Sequence, residues 1–518
     1  MRLRFAASLA AVIALPATAQ DVGSCSRGTA SQELTTDRLS SRLFNNGSLY
    51  FGGNSQAEYY VDGASALFAA GIWVGGRVAG TPRVAAATYS DFEFWPGPLA
   101  AGGLPVDPSD CSAYDRIYAV TQQDLDDYEA GGVPTADLSE WPVALGAPVV
   151  DGDGIAGNYD LEAGDRPDVQ GDATAFWIMN DAGNIHFNTG STPLGIEVRV
   201  VAFVAGADSY YRIGVTNRSG QTIDDLRVAY WSDPDLGDAS DDYVGSDPSL
   251  DMAYVYNADN FDGGGDFGGF GEDPPAVGAV ILSGAGSVGY AINASALELS
   301  DPADVGEFDN VLNGLTPTGA PYTVGGLGIG TGTPTAYVFS GDPITGAGWS
   351  EVSANNPASD RRMTITSTPQ TLAPGFSRTV DVAVLYGRGD DHLLSVAALK
   401  ARAASVASAY ASGDFFPQMP LASEEAGPAS APGTLGLASY PNPAAAEVTL
   451  AYTLGAASPV RLRVFDVLGR EVAVAAEGVR SADRHRSALD VSALPAGVYV
   501  AVLEVEGVRE SVRFTVAR

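Results

Sequence analysis

Lysine is almost missing: Lys400 is the only one in 518 residues, and with arginine it makes 28 basic side chains against 63 Asp and Glu. The formal charge of −35 makes nucleic acid and anionic membrane surfaces poor partners, because contact with phosphates needs clustered cations. A P-loop or Ser-x-x-Lys site would have to use Lys400, which lacks the glycine-rich or serine context. Two cysteines exclude a disulfide-dense scaffold and any site built from several thiolates. The three histidines, His186, His392 and His485, show no His-x-x-x-His or His-Glu-x-x-His spacing and are read as structural or exposed. A Ser-His-Asp triad need not be close in sequence, yet no Gly-x-Ser-x-Gly elbow nominates its serine. No run is long and apolar enough for a transmembrane helix in the mature chain.

What is present suggests export. Arg2 and Arg4 precede an apolar run from Phe5 to Leu15, then Pro16 and Ala17-Thr18-Ala19. This pattern predicts a secretory signal peptide over 1–19, and hence Sec export to a periplasm. A lipoprotein signal ending at Cys25 is the competing reading, since Val22-Gly23-Ser24 precedes that cysteine. In an oxidising compartment Cys25 and Cys111 could pair or remain two free thiols.

Without Arg2 and Arg4 the charge is −37, and all of it lies before residue 433; beyond, nine acidic and nine basic residues cancel. Such asymmetry marks two parts with different jobs. The Pro/Ser/Ala/Glu stretch 417–433 reads as an extended linker between them. From 434 to 518, Val448, Leu450 and Tyr452 alternate with other residues, as do Val460, Leu462 and Val464, then Val498, Val500 and Val502, then Val512, Phe514 and Val516. Glycines at 469, 478, 497 and 507 break these runs, which predicts six or seven short antiparallel strands in a small Ig-like sandwich.

Three motifs in this segment are more specific than the strands: Tyr440-Pro441-Asn442-Pro443, Val464-Phe465-Asp466-Val467-Leu468-Gly469-Arg470, and Leu494-Pro495-Ala496-Gly497-Val498-Tyr499. In this order they resemble the type A C-terminal sorting domain of the type IX secretion system. The resemblance implies a cargo carried by the type IX machinery to the outer cell surface or the extracellular space of a Bacteroidota-like bacterium. It implies removal of the domain outside, in the 417–433 linker, and release of the cargo or its attachment to surface polysaccharide.

The cargo is expected to be mainly β: a β-rich elaboration over 20–173 and a large β-sandwich over 174–416. Strands are predicted at 174–179, 196–204, 210–216, 226–231, 276–282, 335–339, 363–367 and 379–386, with a turn at Asn217-Arg218-Ser219-Gly220. A helix is expected over 391–411 with Leu394, Ala397, Ala398 and Ala401 on one face, and a shorter one over 122–129 behind a Thr121/Asp124 capping box. No fixed-period repeat supports a propeller or solenoid. Asp165-Arg166-Pro167-Asp168, Trp231 to Asp242, Asp273 to Gly278, Phe339 to Pro343 and Asp360-Arg361-Arg362 resemble segments of uncharacterised type IX cargo proteins, which implies a shared fold and no transferable activity.

Acidic side chains gather in two places. Fourteen of them lie between Asp224 and Asp273, with Arg227 as the one basic residue. Asp233, Asp235, Asp238, Asp241 and Asp242 follow a strand on a loop, and short carboxylates on flexible backbone are what Ca²⁺ binds. Asp151, Asp153, Asp160 and Glu162 form the second candidate calcium loop. Asp151, Asp153 and Glu162 fall at EF-hand positions 1, 3 and 12, but Ile155 and Ala156 stand where a ligand and a glycine belong, so it is no EF-hand. The plain alternatives are solvated acidic turns or salt adaptation.

Other motifs carry little. Gly284-Ala-Gly286-Ser-Val-Gly289 and Gly325 to Gly330 read as glycine-rich turns, and Arg388-Gly389-Asp390 as a chance tripeptide. The expectation is therefore a non-catalytic binding, adhesion or envelope module, with calcium as its stabilising ion. The alternative is a carbohydrate-active hydrolase using paired Asp/Glu, with Trp73, Trp95, Trp141, Trp177, Trp231 and Trp349 stacking on sugar rings.

Overall fold

In the computed structural model, residues 22–52, 58–89, 91–155, 157–263, 268–292, 297–412, 437–440, 444, 447–454, 458–466, 470–480, 484–505 and 508–516 are described. The signal peptide at 1–19, the linker at 417–433, residues 441–443 and 467–469 of the motifs, and the turn at Gly507 lie outside them. The chain divides into two compact units, 1–424 and 425–518.

The first unit is mainly β, built on two large antiparallel sheets. The nine-stranded sheet runs Tyr118–Thr121, Ala173–Asn180, Ile196–Ala205, Asp208–Asn217, Ser377–Gly387, Ala276–Ile281, Met252–Asn257, Asp242–Asp247, with Trp95–Pro96 added beside Ala173–Asn180. The path through the twelve-stranded sheet runs Ala285–Ile292, Arg361–Ser367, Ile223–Asp233, Ala69–Val78, Ser48–Leu49, Leu39–Phe44, Tyr59–Val61, Ala64–Leu67. Strands from either side of residue 173 thus share both sheets.

One apolar core fills the space between them, with Ile72, Val74, Val228, Tyr230 and Ile365 from one sheet and Trp177, Val200, Tyr211, Ile213 and Val382 from the other. Hydroxyls also meet there: Tyr50 donates to Tyr211 at 2.6 Å, and Tyr59 lies 3.2 Å from the Ser209 hydroxyl. Outer faces are covered too, which is why the central strands read as continuous apolar runs rather than clean alternations. Trp73 and Trp231 stack on the far side of the twelve-stranded sheet under Phe308 of the helix Val305–Leu312.

The helix His392–Ala411 packs on the outer face of the nine-stranded sheet. Its buried side chains are Ser395, Val396, Leu399, Ala403 and Val406, which corrects the expected face: Leu394 is 43% exposed and Ala401 is exposed. The alanine-rich sequence has no strong stripe, so the larger residues Val396, Leu399 and Val406 decide the orientation by meeting Tyr254, Val280 and Leu385. The helix Gln122–Glu129 has its capping box at Thr121 and Asp124.

The strand expected over 335–339 is not formed. Those residues make a loop touching Ala285–Ile292 through a single parallel bridge, Val288 to Tyr337. The Thr335 hydroxyl accepts from the Tyr337 amide, and Phe339 is left-handed at φ 49°, which together curl the chain away from a ladder. Conversely, Ala69–Val78 carries glycines at 71, 75 and 76 that weaken its sequence signal. Gly71 is required there, since a Cβ would lie 1.9 Å from the Ala87 carbonyl oxygen.

In the second unit, Ala438–Tyr440, Glu447–Thr453 and Arg484–Asp490 form one sheet. Glu471–Arg480, Ser458–Asp466, Gly497–Val505 and Val508–Val516 form another, in that order. Val448, Leu450, Val460, Leu462, Val464, Phe514 and Val516 build the core between them. In Gly497–Val505 the core face is Tyr499, Ala501, Leu503 and Val505, while Val500 and Val502 are half-buried. Tyr499 sets this register by stacking on Phe514 at 5.8 Å and donating to the Pro495 carbonyl at 2.7 Å.

Cys25 and Cys111 form a disulfide across 86 residues, the paired outcome of the two that the sequence left open. Replacing both by serine is expected to destabilise the first unit by about 2–5 kcal/mol, since a long loop is released in the unfolded chain; urea unfolding measures it. At the helix start, burial holds the His392 pKa below its ordinary 6.5 against the opposing charges of Asp391 and Asp259. The unfolded chain therefore takes up that proton first, and stability is lost as pH falls through the ordinary value. His392→Gln is expected to lose less stability than the wild type between about pH 8 and pH 5, read from paired unfolding curves.

Candidate functional site

The strand Ile223–Asp233 lies between Ala69–Val78 and Arg361–Ser367, so its end meets segments about 160 residues before it and 130 after it. Asp233 is 2% exposed. Its Oδ2 accepts the Tyr89 hydroxyl at 2.7 Å and lies 3.3 Å from Arg362 Nη2. Arg362 also donates to the Tyr89 oxygen, through Nε at 3.0 Å and Nη2 at 2.9 Å. It pairs with Asp360 as well, and its Nε lies 3.8 Å from Asp301.

Asp235 completes the group from the loop, at a left-handed φ of 23°. Asp233, Asp235 and Asp360 each offer one carboxylate oxygen within 4.8 Å of the others. The Oδ1 atoms of Asp233 and Asp235 are buried and accept no hydrogen bond. Burial, then the Asp235 charge, push the Asp233 carboxyl well above the usual range; burial and Asp360 push Asp235 up to about 6. Burial would lower the Arg362 pKa, but Asp233, Tyr89 and Asp360 together raise it. Arg362 and Asp301 also line a small cleft, with room for about one water, beside the stacked Trp73 and Trp231.

Asp238, Asp241 and Asp242 do not join this triad. Asp238 caps the next turn by accepting from the Ser240 amide at 3.0 Å and hydroxyl at 2.8 Å. Its own amide donates to Asp262, which is 1% exposed and also accepts the Phe270 amide. Gly237 leaves room for that carboxylate, which would lie 2.0 Å from an added Cβ. Asp241 accepts from Asn257 at 3.0 Å, and burial pushes it up to about 6. Asp242 is fully buried, with one oxygen on the Leu236 amide and the other without a partner.

In the other candidate loop the structure brings together Asp151, Asp153 and Asp165, leaving Asp160 and Glu162 aside. Asp165 is 1% exposed and accepts the Gly152 amide at 2.9 Å and the Asp160 amide at 2.7 Å. Those donors, Asp160 first, hold its carboxyl below the usual range. Asp151 accepts from Gly154, and Asp153 from Ile155 and Asn158. Asp160 itself caps the Glu162 and Ala163 amides. The loop is closed by its own backbone.

Sequence reasoning did not nominate Asp360 or Asp165 as ligands. The usable signal for Asp360 is register: it immediately precedes the strand whose Met363 pairs with Ser232, next to Asp233.

The remaining motif residues have structural work. His186 is buried, with ring nitrogens 2.9 Å and 2.7 Å from the Val84 and Asp181 carbonyl oxygens. Arg388 of the Arg-Gly-Asp tripeptide donates to the carbonyls of Phe270, Glu272 and Asp273. All six tryptophans are buried, the most exposed being Trp349 at 9%.

The segment carrying Asp360 is held by a buried ion pair. Arg361, 1% exposed, donates to both oxygens of Glu351 at 3.0 Å and 2.9 Å, and Glu351 also accepts from the Val244 amide and Asn356. Glu351→Ala leaves that guanidinium buried without its counter-ion and is expected to cost about 3–5 kcal/mol in a denaturant titration.

Residues 438–516 match the family described as the secretion system C-terminal sorting domain. No curated protein matches the chain. Among solved structures, a polysaccharide lyase aligns with 62% of this chain at 11% identity and a TM-score of 0.21, a likeness that carries no argument about fold or function. The chain spans about a third of that structure, 34% of its length. With the match falling on the seven-stranded second unit and its Tyr499 motif, this protein is a type IX secretion cargo whose C-terminal sorting domain directs it to the cell surface or the extracellular space.

Proposed function

We propose that the first unit is a non-catalytic binding, adhesion or envelope structural module delivered by the sorting domain. Export begins with the Sec signal at 1–19, and the sorting domain engages the type IX machinery from the periplasm. After removal of that domain the cargo is released or joined to surface polysaccharide. The observation that carries this reading is the use of the aromatic and charged residues: six tryptophans go to the core, and carboxylates go to turns and cross-strand pairs such as Asp381 with Arg212 at 2.7 Å. A carbohydrate-active site would instead call for an aromatic platform open to sugar rings beside its two carboxylates.

The test has two arms. In the producing bacterium, deletion of 434–518 is expected to leave the protein inside the outer membrane, by fractionation and surface labelling. The purified first unit is expected to bind envelope or host-surface polysaccharide or protein on arrays, while releasing no reducing ends or unsaturated sugars. Turnover of any polysaccharide at an enzymatic rate would sink the non-catalytic reading and favour the hydrolase.

A further inference from the structure

We propose that Asp233, Asp235 and Asp360 form a binding site for one divalent cation, calcium by the chemistry of its donors. The inference stands on local geometry and does not depend on the function proposed above.

Three observations carry it. First, the three carboxylates converge from two segments that are distant in sequence, each with an oxygen within 4.8 Å of the others. Carboxylate oxygens that close can share one ion, and an all-oxygen set on flexible loop backbone suits calcium better than magnesium, which demands a near-ideal octahedron. Second, Asp233 is 2% exposed and its Oδ1 has no partner, as is true of the buried Oδ1 of Asp235. A buried carboxylate oxygen without a donor is costly, and a cation relieves it. Among the described residues the aspartate oxygens left in this state belong to Asp233, Asp235 and Asp242, all within one ten-residue stretch.

Third, carboxyl groups outnumber cations here. Asp233, Asp301 and Asp360 all lie around Arg362, and Asp235 adds a fourth carboxyl group. One guanidinium faces all four, and a divalent cation relieves that crowding. The ion has a route in, since the Asp360 and Asp301 side chains are 24% and 44% exposed. Water and backbone carbonyls supply the rest of the shell, as calcium commonly requires. The Asp151, Asp153 and Asp165 group fails the same comparison, because the Asp165 oxygens are already taken by backbone amides. Bound calcium ties the end of Ile223–Asp233 to the start of Arg361–Ser367.

The test uses the full exported chain, stripped with EDTA. Tb³⁺ is titrated in while exciting Tyr89 and Trp231, whose rings lie 5.1 Å apart next to Asp233. We expect a saturable Tb³⁺ emission displaced by Ca²⁺ better than by Mg²⁺, and a higher melting temperature in millimolar Ca²⁺ than in EDTA. Asp360→Asn is expected to weaken Ca²⁺ binding by about tenfold or more, with Asp151→Asn equal to the wild type. If Asp360→Asn does not fold by circular dichroism, Asp235→Asn provides the same reading from the other segment. Absence of displaceable emission and of any calcium-dependent melting shift overturns the site, as does wild-type affinity in a folded Asp360→Asn or Asp235→Asn.

Discussion

The acid-rich end of the first unit depends on one strand, Ile223–Asp233, hydrogen-bonded to Ala69–Val78 on one side and to Arg361–Ser367 on the other. Its inward residues Val228 and Tyr230 belong to the core between the sheets, and its outward residues Ala229 and Trp231 belong to the layer beneath the helix Val305–Leu312. The period of two along the strand therefore serves two cores at once. Where the strand ends, Asp233 meets Tyr89 and Arg362, and the chain turns into the acidic loop with its backbone already fixed.

Charge is the second constraint. With so few cations, three guanidiniums hold definite places at the sheets: Arg212 on Asp381, Arg361 on Glu351, Arg362 among Asp233, Asp360 and Asp301. Arg212 and Asp381 sit directly opposite each other on paired strands, so the ion pair also marks their register. Burying such pairs costs desolvation, and their value lies as much in excluding misaligned pairings as in net stability.

Much of the architecture was legible in the sequence, and the failures have physical causes. Runs of β-branched and aromatic residues gave the mainly β class and the strands around Ile196–Ala205, Asp208–Asn217 and Ser377–Gly387. Ala69–Val78 escaped notice because its glycines answer to close backbone approach, which no periodicity reports. The helix over 391–411 was readable from alanine content, yet its buried face was not, since alanine suits either side. At the candidate site, Asp233 and Asp235 could be nominated from local density. Asp360 could not, because what brings it there is strand pairing across about 130 residues. Asp160 and Glu162 show the reverse: Glu162 meets the loop spacing and Asp160 the local density, yet Asp160 caps the Glu162 and Ala163 amides and the group forms around Asp165 instead.

The interleaving of early and late strands also governs when this molecule can fold. Ala69–Val78 finds its place beside Ile223–Asp233 and, through it, Arg361–Ser367, while Asp208–Asn217 waits for Ser377–Gly387. Nearly four hundred residues must therefore be available before either sheet closes. Non-local pairing of this kind places the first unit among slow folders, because long loops are closed before their contacts repay the entropy. A chain still emerging from a ribosome or a membrane channel can form local hairpins such as Ile196–Ala205 with Asp208–Asn217, but lacks the late strands that complete both sheets.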